Sequence, residues 1–210
     1  MKLSFLIPFI LFFNFELKAQ EWYVEYSMGT GLVNMFELYS DDYYEYQPFF
    51  IIGGAKYHKP NSYWNYKANF QYIRSKIETV PRTIYKKPLT QNREFYDSLP
   101  GVLSHYSTMV LIEHLKNSKK WNFGYDFGIG LTLEELLRSK ENKGQREWDY
   151  YLSVRVGFIT SLKLGEKTRL FAQPMLFWTN PISTFRPENH QMANEDLSLL
   201  LSAGISYRFK

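Results

Sequence analysis

Cysteine is absent from this chain of 210 residues, and its absence excludes disulfide scaffolds, thiolate metal sites and cysteine-linked lipid anchors together. Long apolar runs are missing as well once the first residues are passed. A polytopic helical membrane protein needs several stretches of about 20 apolar residues, so that class is excluded too. There is no basic run, and a formal net charge of +4 is a mild excess, so nucleic acid is not an expected partner. What the chain holds in quantity is aromatic: 17 Phe, 17 Tyr and 5 Trp. Disordered chains are poor in such residues, and the composition fits one folded domain whose ring content needs an explanation.

The single apolar run is N-terminal, from Leu3 to Phe15 with only Ser4, Pro8 and Asn14 interrupting. It is too short to span a bilayer, and a small residue, Ala19, follows at the expected distance. These features predict a secretory signal over residues 1–19, cut near Ala19 or Gln20. Its removal takes away Lys2, Glu16 and Lys18 and leaves +3 on residues 20–210.

Through the rest of the chain the dominant period is two. Five segments alternate cleanly: Trp22 to Asn34, Trp64 to Tyr72, Trp121 to Glu134, Trp148 to Phe158 and Asp196 to Phe209. In the third, Trp121, Phe123, Tyr125, Phe127, Ile129, Leu131 and Leu133 oppose Asn122, Gly124, Asp126, Gly128, Gly130, Thr132 and Glu134. Three weaker segments run from Phe49 to His58, Val102 to Leu115 and Thr168 to Trp178. Pro174 removes a ladder donor from the last, which predicts a bulge or a broken bond. The connections alternate in length: long over 35–47, 75–101, 135–147 and 179–195, short over 57–63, 115–121 and 159–167. A sandwich has no reason to make its two ends differ, whereas a transmembrane barrel has short periplasmic turns and longer outer loops. The expected fold is therefore all-β: an eight-stranded antiparallel up-and-down transmembrane β-barrel over residues 20–210, with both termini at the periplasmic end.

The direction of the faces follows from the tryptophans. Trp22, Trp64, Trp121, Trp148 and Trp178 each sit near a strand end, as residues anchored in headgroup layers do. A secreted soluble barrel carrying an apolar ligand would need the faces reversed. The other face is rich in Gly, Ser and Asn, suited to a narrow lumen. It carries Glu25, Lys67, Asp126, Glu134, Asp149, Arg155, Arg169 and Arg208, and buried charges must pair. Asp126 and Arg155 occupy matching heights on one hairpin and form the expected lumen ion pair. The inward charges suit either a proton or ion path or an electrostatic core that stiffens the barrel; a filled eight-stranded interior favours the core.

Little else in the chain suggests chemistry. Gly29-Thr30-Gly31 and Gly128-Ile129-Gly130 lie inside strands with no helix following, so they are packing glycines and not phosphate loops. His58, His105, His114 and His190 form no metal spacing, and no cofactor is expected. Ser104-His105-Tyr106-Ser107 resembles the His-x-Ser element of the PagL-type outer-membrane lipid A deacylases. That resemblance implies Ser107 as nucleophile and His105 as base. The family's motif continues with Asn-Ala, where this chain has Thr108 and Met109, and the nearest same-face acid read from the sequence, Glu113, is most of a strand away. The first outer loop is acidic and tyrosine-rich, with Glu37, Asp41, Asp42 and Glu45 beside Tyr39, Tyr43, Tyr44 and Tyr46. It suits a protein partner or a cation, or pairing with the basic residues Arg82, Lys86, Lys87 and Arg93 of the next loop.

Taken over its whole mature length, the chain resembles the small outer-membrane β-barrels of Gram-negative bacteria, including OmpA-type barrels and the PorT-like family. The strand alternation, the loop asymmetry and the closing segment Ser202-Ala203-Gly204-Ile205-Ser206-Tyr207-Arg208-Phe209 carry this likeness, although Lys210 follows the terminal aromatic. It implies contact with outer-membrane lipid and recognition of Phe209 by the barrel assembly machinery. The leading expectation is a non-enzymatic barrel that presents surface loops to a partner or supports the envelope. The alternative is a barrel-embedded hydrolase using His105 and Ser107.

Overall fold

The computed structural model describes residues 21–32, 43–58, 62–79, 82–85, 93–96, 100–115, 120–138, 146–179, 181 and 196–209. The expected signal segment, His190, Lys86, Lys87 and most of the acidic first loop lie outside the described residues. Ten strands follow one another: β1 (Glu21–Leu32), β2 (Tyr43–His58), β3 (Trp64–Thr79), β4 (Arg82–Tyr85), β5 (Arg93–Tyr96), β6 (Pro100–Leu115), β7 (Trp121–Arg138), β8 (Arg146–Lys163), β9 (Thr168–Thr179) and β10 (Asp196–Arg208). Eight of them close into one antiparallel barrel in the order β1-β10-β9-β8-β7-β6-β3-β2, each pairing with its neighbours in the meander. Closure through β1 and β10 removes every edge, so all backbone groups can pair within the wall. The remaining two, β4 and β5, form a separate hairpin in the connection between β3 and β6, which the alternation did not foretell.

Five adjacent strands are longer than expected. β2, β3 and β6 have 16 residues and β7 and β8 have 18, against 12 to 13 for β1, β9 and β10. About nine to eleven residues cross a bilayer at a tilt, so the barrel rises higher on one side. Residues 43–47, expected in the first loop, are thus part of β2. Ladder bonds continue upward regardless of side-chain polarity, whereas the apolar alternation stops where the outward residues become polar. Hydropathy marks only the apolar belt.

Two irregularities bend the wall. Register shifts on β2 between Tyr46 and Phe49, where Gln47 takes a left-handed φ of 52° and the Pro48 carbonyl accepts a 2.7 Å hydrogen bond from Thr30 Oγ1. At Pro174 the β8–β9 ladder runs from Gly157–Met175 directly to Thr160–Ala172 without changing register. The missing donor therefore breaks rungs there and makes no bulge.

Burial is inverted relative to a soluble domain. Among the described residues 26 buried side chains are polar or charged and 12 are apolar, while Phe123, Leu131, Val110, Phe158 and Ile129 are exposed on the outside. The faces are those of a lipid-embedded barrel. A soluble carrier would need them reversed, and its expected alternative is set aside on this ground.

Candidate functional site

The lumen is the candidate site, and it is stacked in three layers. Nearest the termini lies an ionic layer built from alternate residues of β1, β2, β3, β6, β7 and β8. Lys56 Nζ is 2.7 Å from Glu25 and 3.4 Å from Glu113; Lys67 Nζ is 3.0 Å from Glu25, contacts Glu113, and lies 3.9 Å from Asp126. Arg155 Nη2 donates to Asp126 Oδ2 at 2.9 Å. Three carboxylates and three cations so form one connected, charge-balanced set, all 7% exposed or less. Amides extend it: Gln173 Nε2 donates to both Asp126 oxygens at 2.8 Å, and Asn65 Nδ2 donates to Glu113 at 2.7 Å while its oxygen meets His58 Nδ1. Satisfying the remaining lone pairs in this way is the condition under which buried charges are tolerated.

Above this layer sits an apolar plug of Phe50, Ile52, Ile73, Met109, Leu111, Met175, Phe177 and Leu200. Over the plug lies a small polar layer. His105 Nε2 is 3.0 Å from Glu134 Oε2, and Ser107, Thr132 and Ser153 form a hydroxyl chain with steps of 2.8 and 2.6 Å. A cavity lined by Glu25, Lys56, Lys67, Glu113, Arg169 and others has room for about one water molecule.

Seven of the eight expected lumen charges have described side chains. Asp126 and Arg155 meet inside the barrel, diagonally across the β7–β8 hairpin. Glu25, Lys67, Glu134 and Arg169 are buried inside. Arg208 is at the rim instead, with 30% of its side chain exposed, clasping Glu21 at 2.6 Å and joining the last strand to the first. The side chain of Asp149 lies outside the described residues.

His105 does have an acid partner, contrary to the reading of the sequence: Glu134 is its direct cross-strand neighbour. Counting outward from the turn after Leu115 along both strands would have found it. Ser107 and His105 share one face of β6, so serine, histidine and acid occupy neighbouring rungs. Yet Ser107 is fully buried, engages Thr132, and points into the lumen. A lipid ester outside the wall does not reach it, and a nucleophile must touch its substrate. Lys56, Glu113 and Gln173 are the members of this layer that the sequence reading did not connect, because the apolar inward neighbours on β2, β6 and β9 mask the period of two there. Among the described residues no group of three His, Asp or Glu is arranged to hold a metal.

An antiparallel eight-stranded meander with an apolar outside and a filled polar inside is the fold of the small outer-membrane β-barrels. The sequence itself matches no protein-family model and no curated protein. Among solved structures the chain is similar to neisserial surface protein A (NspA), with 14% identity, a TM-score of 0.54, and coverage of 90% of this chain and 97% of that one. It is also similar to Ail, the attachment invasion locus protein of Yersinia pestis, solved with the heparin analogue sucrose octasulfate, with 14% identity, a TM-score of 0.50 and the same coverage. At that identity the likeness concerns the fold.

Proposed function

We propose that the chain is an integral outer-membrane barrel whose lumen is sealed, and that it works as a rigid, non-enzymatic support for the strands and loops it raises above the membrane. The observation that carries this reading is the opposition of faces: outward rows of exposed apolar side chains enclose a connected, charge-balanced ionic layer capped by an apolar plug. A sealed interior favours support and display over transport, and the inward Ser107 speaks against lipid hydrolysis. Signal-directed export, assembly through Phe209 and a protein partner at the outer loops belong to the same proposal. Phe209 is exposed, and its amide donates to the Trp22 carbonyl at 3.0 Å, finishing the closure.

Fractionation followed by gel mobility with and without boiling tests it. A folded barrel of this kind is expected in the outer-membrane fraction and migrates differently unboiled. Recovery wholly in the soluble fraction, with one mobility, would sink the proposal.

A further inference from the structure

We infer that the small cavity beside the ionic layer, at the end of the lumen nearest the termini, holds a single monoatomic anion, with chloride as its natural occupant. The inference goes beyond the support role proposed above and needs only the closed barrel. Cross-strand register assembles the cavity close to the turn between β8 and β9. Arg169 stands on the last rung of the β8–β9 ladder and pairs on its other side with Ser206 of β10, which in turn pairs with Glu25 of β1. Ser161 of β8 lies two residues in from that end. All four side chains are buried and line the same small space.

Two observations specify the occupant. The Ser161 and Ser206 hydroxyls face the cavity, are 3% and 2% exposed, and have no hydrogen-bond partner in the protein. A buried hydroxyl left unpaired is costly, so two of them on one small space mark a group that accepts from both. Charge is the second observation. Lys56, Lys67 and Arg169 line the cavity against Glu25 and Glu113, one cation in excess, while the neighbouring Asp126 is matched by Arg155. The two carboxylates are engaged by the two ammonium groups, whereas Lys56 carries three N–H groups for its two carboxylates.

A cation is repelled by that excess. A water molecule satisfies the hydroxyls and leaves the charge as it was; an anion answers both. Space then decides among anions, because room for about one water excludes phosphate, sulfate and carboxylates. Chloride is slightly larger than water, and the flexible ends of Lys56 and Arg169 supply the difference. Leu115, Ile159 and Phe171 make up apolar parts of the wall, where low polarity strengthens the attraction. Held there, the anion brings β10 into the ionic layer through Ser206, so that all eight strands of the barrel contribute to it.

The full chain, folded in detergent micelles, is heated at a series of chloride concentrations with gluconate holding the ionic strength constant. The temperature at which the unboiled gel mobility is lost is expected to rise along a saturating curve, as stabilisation by one bound ligand does. Ser161→Ala combined with Ser206→Ala should need about tenfold more chloride for half the effect, and Arg169→Gln should abolish saturation. Wild-type crystals grown in bromide are expected to show an anomalous scattering peak between Ser161, Ser206 and Arg169, a result that stands even if a variant does not fold. A rise that never saturates and is equal in all variants is an ordinary salt effect and overturns the site. A cavity holding water alone in the bromide crystals overturns it too, and both outcomes leave the barrel standing. Absence of any heat-dependent mobility shift in the wild-type chain would instead overturn the barrel and the site together.

Discussion

Asp126 is the residue through which the ionic layer reaches across the barrel, since it receives Arg155 from β8 and Gln173 from β9 while Lys67 approaches from β3. The wall is shaped to admit it: a Cβ added at Gly157, the cross-strand partner of Asp126, would come within 2.6 Å of its Oδ1. Removing one member of a buried pair leaves an uncompensated charge, so Asp126→Leu is expected to destabilise the folded barrel by about 3–5 kcal/mol. Adding Arg155→Met restores the charge balance, and the double variant should recover most of that loss in denaturant unfolding. Additive losses would show that the two side chains do not act as a pair. A second test at this scale concerns Ser107. Its hydroxyl serves a buried chain of hydrogen bonds, so Ser107→Ala should lower stability by about 0.5–1.5 kcal/mol and leave the acyl pattern of lipid A identical in mass spectra. A change in that pattern would revive a hydrolase.

At the level of strands, the three that alternation reads poorly, β2, β6 and β9, share a cause. They supply Phe50, Ile52, Met109, Leu111, Met175 and Phe177, six of the eight plug residues. Where the inward side chain is as apolar as the outward one, the contrast that reveals a strand disappears. β7, whose inward positions are Gly, Asn, Asp, Thr and Glu, shows the pattern at full strength for the opposite reason. Consequently Asp126 and Arg155 could be placed from the sequence, while Lys56 and Glu113, on the plug-forming strands, could not be joined to them. The outer ends were hidden by a different effect, because their outward residues meet headgroups and water and carry no apolar mark.

Pro174 gives the strand-scale prediction. It interrupts the β8–β9 ladder opposite Phe158 without altering register, and a lost bond facing lipid has no water to replace it. Pro174→Ala is expected to restore a rung and raise unfolding stability by about 1 kcal/mol, with slower hydrogen exchange in Phe158 and Ile159. Unchanged or faster exchange would mean that the break comes from wall curvature and not from the missing donor.

At the scale of the molecule, the aromatic rings of the described residues lie mostly on its outside: the outward rows and the rings at the strand ends face lipid, and among the described residues only Tyr23, Phe50 and Phe177 are buried. The interior spends its volume on two layers in series, the ionic layer and the plug, which under the proposed sealed lumen act as independent closures. In planar bilayers the wild-type barrel should therefore give no stepwise conductance. Truncating the plug alone, with Phe50→Ala and Phe177→Ala, should also stay silent, because Lys56, Lys67 and Arg155 still fill the layer beneath. Truncating only Lys67 and Glu113 to Ala leaves the plug in place and should be equally silent. Combining all four changes removes both closures, and conductance should appear in whatever fraction keeps the unboiled mobility shift. Conductance from either partial variant would show that the two layers do not close the lumen independently.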